Sequence, residues 1–226
     1  MATAWTNSLV TPQARGPALS FDEWLALDED EPGELVDGFL EKEEVPDSVH
    51  ELTVTWLSMV LCLWLGPRGF VLGSEAKLKL QASSGRKPDL SVYLPGTPAP
   101  PRRGALTAPP DIVIEVVTPT ARDERRDRVE KRLDYARFGV RWYWIVDPAF
   151  GSVEILQLEP DGFYKVVVTG TAGVLESIPG CEGLRVDIDA VWAELGRLGP
   201  EEEARLAQPW PGAGGRLTSS SRCARR

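Results

Sequence analysis

Asp89 and Glu115 are the residues of this chain most suited to metal-assisted chemistry. Asp89 follows Pro88 at the head of the apolar run "LSVY", and Glu115 interrupts "DIVIEVV". Both runs read as strands, and a carboxylate inside a central strand is costly unless something compensates it. If the strands are neighbours, the two side chains converge on one point. Mg²⁺ takes one or two protein carboxylates and leaves positions for water and phosphate. It lowers the pKa of its bound water and neutralises charge developing on a phosphodiester. Buried acids also pair with arginine, so the spacing alone leaves both readings open.

The remaining candidates surround this pair. Asp127, Lys131 and Tyr135 are spaced four apart in "RDRVEKRLDYARF", so they share one helix face, with Val129, Leu133 and Ala136 expected to pack on the sheet. Lys131 could point at the carboxylates and stabilise an attacking hydroxide or the transition-state phosphate; an exposed Asp–Lys pair is the alternative. Arg122, Arg125, Arg126 and Arg128 crowd the same segment, with Arg86 and Lys87 just before Asp89. Such a cluster suits phosphate contacts, although interspersed acids partly cancel it. His50 opens an apolar segment and could serve as a base or as a structural residue. Glu34, ahead of "LVDGF", is equally open. No GxSxG, GxxxxGK[ST] or GxGxxG motif is present, so hydrolase-triad, P-loop and Rossmann chemistries lack support.

These residues need elements to carry them. Ser20-Phe-Asp-Glu23 has the form of a capping box and predicts a short helix. Asp37-Gly38 between apolar pairs predicts a hairpin. Residues 48–65 read as a buried core helix stopped by Gly66-Pro67. "FVLGSEAKLKLQ" and "RKPDLSVYL" read as strands, followed by a Pro- and Gly-rich loop over 95–110. After the Glu115 strand comes a charged helix over 121–138, ended by Gly139. "RWYWIV", "SVEILQL" and "FYKVVV" follow as strands, and "DAVWAEL" as a closing helix. Three segments result: a flexible stretch over 1–19, one α/β domain with a mixed sheet flanked by helices over 20–198, and a disordered tail over 199–226.

Composition narrows the function classes. The 226 residues are 42% hydrophobic with eight Trp, as a cored domain requires. A net charge of −9 argues against non-specific nucleic-acid binding, so any such contact must be local. A single His removes most zinc-hydrolase constellations. Three scattered Cys form no disulfide framework, which favours a reducing compartment. No secretory signal is evident, and the longest apolar run is short for a membrane span. A cytoplasmic protein with no membrane association is the expectation.

Taken in order, "ELVDGFL", His50, "KPDLSVY", "PDIVIEVVTPT", "DRVEKRLDYARFGVRWYWIVDP" and "VEILQL…DGFY" resemble the bacterial Uma-two family, over about 21–168. The resemblance implies a restriction-endonuclease-like PD-(D/E)XK core. It implies Asp89 and Glu115 as catalytic residues holding Mg²⁺, or Mn²⁺ in its place. The lysine usual two residues after the glutamate is replaced by Val117, so the resemblance assigns that role to Lys131, with Asp127 and Tyr135 orienting it. Glu34 and His50 match family positions as accessory residues. DNA is the implied substrate, and a homodimer is expected because one site per chain cuts two strands most simply as a pair. A catalytically silent binding module on the same fold and a hydrolase of RNA or nucleotides remain alternatives.

Overall fold

The computed structural model describes residues 16–27, 33–42 and 46–199. Residues 200–226 of the expected tail and 1–15 of the expected flexible stretch lie outside these.

In chain order the elements are α1 (Phe21–Leu25), β1 (Glu34–Val36), β2 (Phe39–Glu41), α2 (Ser48–Leu65), β3 (Phe70–Leu72), β4 (Leu78–Gln81), β5 (Ser84–Arg86), β6 (Leu90–Tyr93) and β7 (Ile112–Val116). They continue with α3 (Ala121–Arg125), a π-helical stretch (Arg126–Lys131), α4 (Arg132–Phe138), β8 (Trp142–Asp147), β9 (Ser152–Leu158), β10 (Tyr164–Gly170), β11 (Val174–Leu175), β12 (Val186–Asp187) and α5 (Ile188–Leu195).

A six-stranded sheet ordered β10-β9-β8-β7-β6-β3 forms the centre. Only β7 and β8 run parallel, joined by the 121–138 helical crossover, so the sheet is mixed as expected. β7 is buried on both faces, which is why it reads as a continuous apolar run. Ile112, Ile114 and Val116 face α2 and α5; Val113 and Val117 face the crossover helix with Tyr135 and Tyr143. Glu115 therefore enters the second face.

A second, four-stranded antiparallel sheet, β2-β1-β5-β4, flanks the first. The run "FVLGSEAKLKLQ" is thus two strands in different sheets, β3 and β4, rather than one. The Asp37-Gly38 turn has positive φ at both residues, +50° and +83°, as a tight hairpin turn requires. Gly85 of β5 allows α1 to close over this sheet, because a Cβ there would lie 2.3 Å from the Trp24 ring. Lys77 and Lys79 then lie over the rings of Trp24 and Phe21. The capping box at Ser20–Glu23 is formed in both directions.

Two expectations are corrected here. The crossover helix is turned over: Asp127, Lys131 and Tyr135 face the sheet and are buried, whereas Val129 and Leu133 are exposed. Apolar periodicity pointed the wrong way because the polar face pairs with buried acids on the strands, Lys131 with Glu115 and Glu34. The second correction concerns α2. It has the predicted limits, with Asp47 as N-cap and Gly66 as C-cap, and Leu57, Leu61 and Leu65 pack on the sheet. It covers only one sheet face, however, so its far side stays in solvent rather than in a core. Together with the turn to Arg68 it is, by length and composition, long and apolar enough to cross a membrane.

Candidate active site

The antiparallel register pairs Leu90 with Ile114. One step further sets Asp89 opposite Glu115, on the face covered by the crossover helix. The two sequence-predicted carboxylates are therefore neighbours. Asp89 is fixed through Oδ2, which accepts from the Val116 amide at 2.7 Å and lies 3.2 Å from His50 Nε2. Asp47 caps α2 by accepting from the His50 amide, which holds the imidazole at the start of that helix.

Glu115 is 2% exposed and both of its oxygens are engaged. Tyr135 donates its hydroxyl to Oε1 at 2.5 Å, and Lys131 donates its ammonium to Oε2 at 2.8 Å. Lys131 Nζ also lies 3.1 Å from Asp127 and 3.9 Å from Glu34. The helix lysine thus reaches the strand carboxylate from the crossover. Asp127, Lys131 and Tyr135 share one face, as their spacing predicted, and it is this face, rather than the apolar one, that is buried.

Glu34 approaches from β1 and is fully buried. Its oxygens accept from Arg86 Nη1 at 2.8 Å and from the Lys87 amide at 2.9 Å, and Arg126 Nε lies 4.0 Å away. Arg86 donates in turn to Asp134 through Nε and Nη2, at 3.0 and 2.6 Å. Glu34, Asp89, Glu115 and Asp127 face one another around Lys131, with Arg86 and Arg126 behind. Sequence reasoning missed the roles of Asp134 and Tyr143. Tyr143 donates its hydroxyl to the backbone carbonyl of Asp127 inside the π-helical turn. Neither residue carries a local signal, because their partners are distant in sequence or are backbone atoms.

The arginines divide into two groups. Arg126 is buried beside Glu34, and Arg128 pairs with Asp147 and Glu154 at 2.7 Å each. Arg122 and Arg125 are exposed; Arg122 donates to the Lys42 carbonyl and Arg125 pairs with Glu130 at 3.3 Å.

Burial and charge act in opposite directions on the acids. Burial pushes the Glu115 carboxyl up, Lys131 pulls it down, and Asp89, Asp127 and Glu34 push it up again, leaving it well above the usual range. Burial also raises Asp127, against the pull of Lys131. For Glu34 burial is again the largest influence, but Lys131, Arg86 and Arg126 overcome it and bring the carboxyl down to about 2. Burial would lower Lys131, yet Glu115, Glu34 and Asp127 hold its ammonium well above the ordinary value. Burial would likewise lower His50, and Asp89 more than compensates.

The two glutamates should therefore give stability opposite pH slopes. Glu34, lowered from 4.5, contributes above that value and loses its contribution as pH falls towards 2. Glu115, raised, contributes most below 4.5 and loses its contribution as pH rises. Urea midpoints measured across acid pH should show a shallower acid loss in Glu34→Gln than in the wild type. An unchanged profile would mean that Glu34 keeps an ordinary pKa.

Asp89 and Glu115, on adjacent strands, are the carboxylates that could hold a hard divalent cation; Asp89 keeps 14% side-chain exposure, whereas both Glu115 oxygens accept from Tyr135 and Lys131. No group of three or more His, Cys, Asp or Glu is arranged to hold an ion among the described residues, so water must complete any coordination.

The mixed sheet and its flanking helices form a restriction-endonuclease-like fold. The chain is similar to the crystal structure of a putative nuclease belonging to DUF820 from Anabaena variabilis ATCC 29413. The identity is 17% and the TM-score 0.63, over 78% of this chain and 99% of that one. Residues 20–189 match the family model Uma2, described as "Putative restriction endonuclease", and the chain belongs to that family. No curated protein matches it.

Proposed function

We propose that the protein is a metal-dependent endonuclease that hydrolyses DNA phosphodiester bonds. The observation that carries this reading is the buried Lys131 ammonium 2.8 Å from Glu115, with Asp89 opposite. A Mg²⁺ or Mn²⁺ ion held by Asp89 and Glu115 would supply an activated water and neutralise charge on the phosphodiester. Lys131 stabilises negative charge at the reacting phosphate. Tyr135 and Asp127 hold Lys131 and Glu115 in place, His50 orients Asp89, and Glu34 anchors the cluster through Arg86. Arg122 and Arg125, on the surface, suit contact with the DNA backbone, whereas Arg126 and Arg128 belong to internal networks. A homodimer suits cleavage of both strands.

The test is plasmid nicking with Mg²⁺ or Mn²⁺. Glu115→Gln and Asp89→Asn should each reduce cleavage by about 10²-fold or more and abolish Mn²⁺ binding in a titration. Cleavage untouched by Glu115→Gln would overturn the assignment. Metal binding without cleavage would shift the substrate to another phosphodiester, and neither would favour a binding module on the same fold.

A further inference from the structure

We propose that the outer face of α2 is the surface through which two copies of this chain associate, antiparallel, about a two-fold axis near Trp56 and Met59. The proposal is independent of the nuclease reading, because it rests on the helix alone.

A helix that covers a sheet on one side normally carries charge on the other. α2 does not: no charged residue occurs between Glu51 and Arg68. Thr55, Met59, Cys62 and Leu63 are exposed on the side away from the buried row formed by Thr53, Leu57, Leu61 and Leu65, with Leu52 and the partly core-packed Trp56 half-buried along its edge. Met59 is 52% and Leu63 77% exposed. The helix runs for 18 residues, or about 27 Å, which makes this a long apolar strip rather than scattered surface hydrophobics.

The charges at its ends specify the partner. Asp47 and Glu51 stand at the N-terminal end. Arg68 stands at the C-terminal end, folded back onto the carbonyls of Leu65 and Trp64 at 3.1 and 2.8 Å. A second copy running antiparallel brings the acidic end of each helix to the basic end of the other and opposes their dipoles. With the axis midway between Trp56 and Met59, Trp56 meets Met59 of the other copy, Leu63 meets Leu52, and Arg68 meets Asp47. Such a contact is self-complementary, as a two-fold interface must be. A parallel pair would place like charges together.

The test is the mass of the full-length protein in solution by sedimentation velocity, without metal. The wild type should be a dimer at micromolar concentration. Met59→Glu and Leu63→Glu should each weaken association by about 10²-fold with unchanged circular dichroism, since both side chains point outward. Arg68→Glu, which sets a third acid against Asp47 and Glu51, should weaken the dimer, and adding Glu51→Lys should restore part of it. A monomeric wild type, or a dimer that survives both glutamates, overturns the proposal, as does a wild type that binds anionic phospholipid vesicles instead of itself. Failure of the double charge reversal to restore association overturns the antiparallel arrangement.

Discussion

Lys131→Met should lower plasmid cleavage by about 10²–10³-fold and at the same time strengthen Mn²⁺ binding. The ammonium is the closest cation to Glu115 Oε2 and is also in contact with Asp127, so it occupies the charge balance that a metal would otherwise supply. Removing it leaves Glu34, Glu115 and Asp127 short of a counter-charge in a buried space. Breaking a buried ion pair from one side costs about 3–5 kcal/mol. Without metal the variant should therefore unfold at lower urea than the wild type, and added Mn²⁺ should recover more stability in it, because a ligand that binds only the folded state stabilises by mass action. Glu115→Gln should behave differently, losing both cleavage and the Mn²⁺ effect. If Lys131→Met cuts DNA at the wild-type rate, the lysine has no part in the chemistry. Weakened Mn²⁺ binding would show that it organises the carboxylates rather than competing for them.

Arg86→Met should destabilise the protein by about 3–5 kcal/mol, a large fraction of the stability of an ordinary domain. The guanidinium is 2% exposed and joins fully buried Glu34 to Asp134. Methionine fills similar space but strands the Glu34 carboxylate, whose remaining cations are Lys131 at 3.9 Å and Arg126 at 4.0 Å. Combining it with Glu34→Gln should cost less than the two single losses added together, because the neutral amide removes the stranded charge. Urea unfolding of the four proteins measures this coupling directly. A cost below about 1 kcal/mol for Arg86→Met would mean that solvent reaches the pair and screens it.

Much of the scaffold was legible because its signals are local. The end of α2 follows from Gly66-Pro67, the hairpin from Asp37-Gly38 between apolar pairs, and the end of the crossover from Gly139. Glu115 was legible as an isolated charge in an apolar run, and Lys131 as part of a four-residue spacing. The turned-over helix was not legible: Val129 and Leu133 have the periodicity of a core face, and only the acids presented by neighbouring strands draw the polar face inward. The small sheet was missed because β5 is "SGR", with no apolar alternation of its own. The link from Arg86 to Asp134 spans 48 positions and leaves no trace in either segment.

The π-helical turn over Arg126–Lys131 has a genetic consequence. An α-helix advances about 100° per residue, so positions eight apart diverge by roughly 80°. The wider turn takes up part of that divergence, and Tyr143 satisfies a carbonyl within it, so Asp127, Lys131 and Tyr135 share one face. Such a turn is equivalent to one additional codon in an ordinary helix. Losing one codon there, that of Val129 for example, would close the wide turn into an ordinary helix with the aspartate, lysine and tyrosine at i, i+3 and i+7, so the three would keep a common face. In this segment an in-frame deletion of one amino acid is therefore a milder lesion than in a regular helix, where it would turn one half against the other.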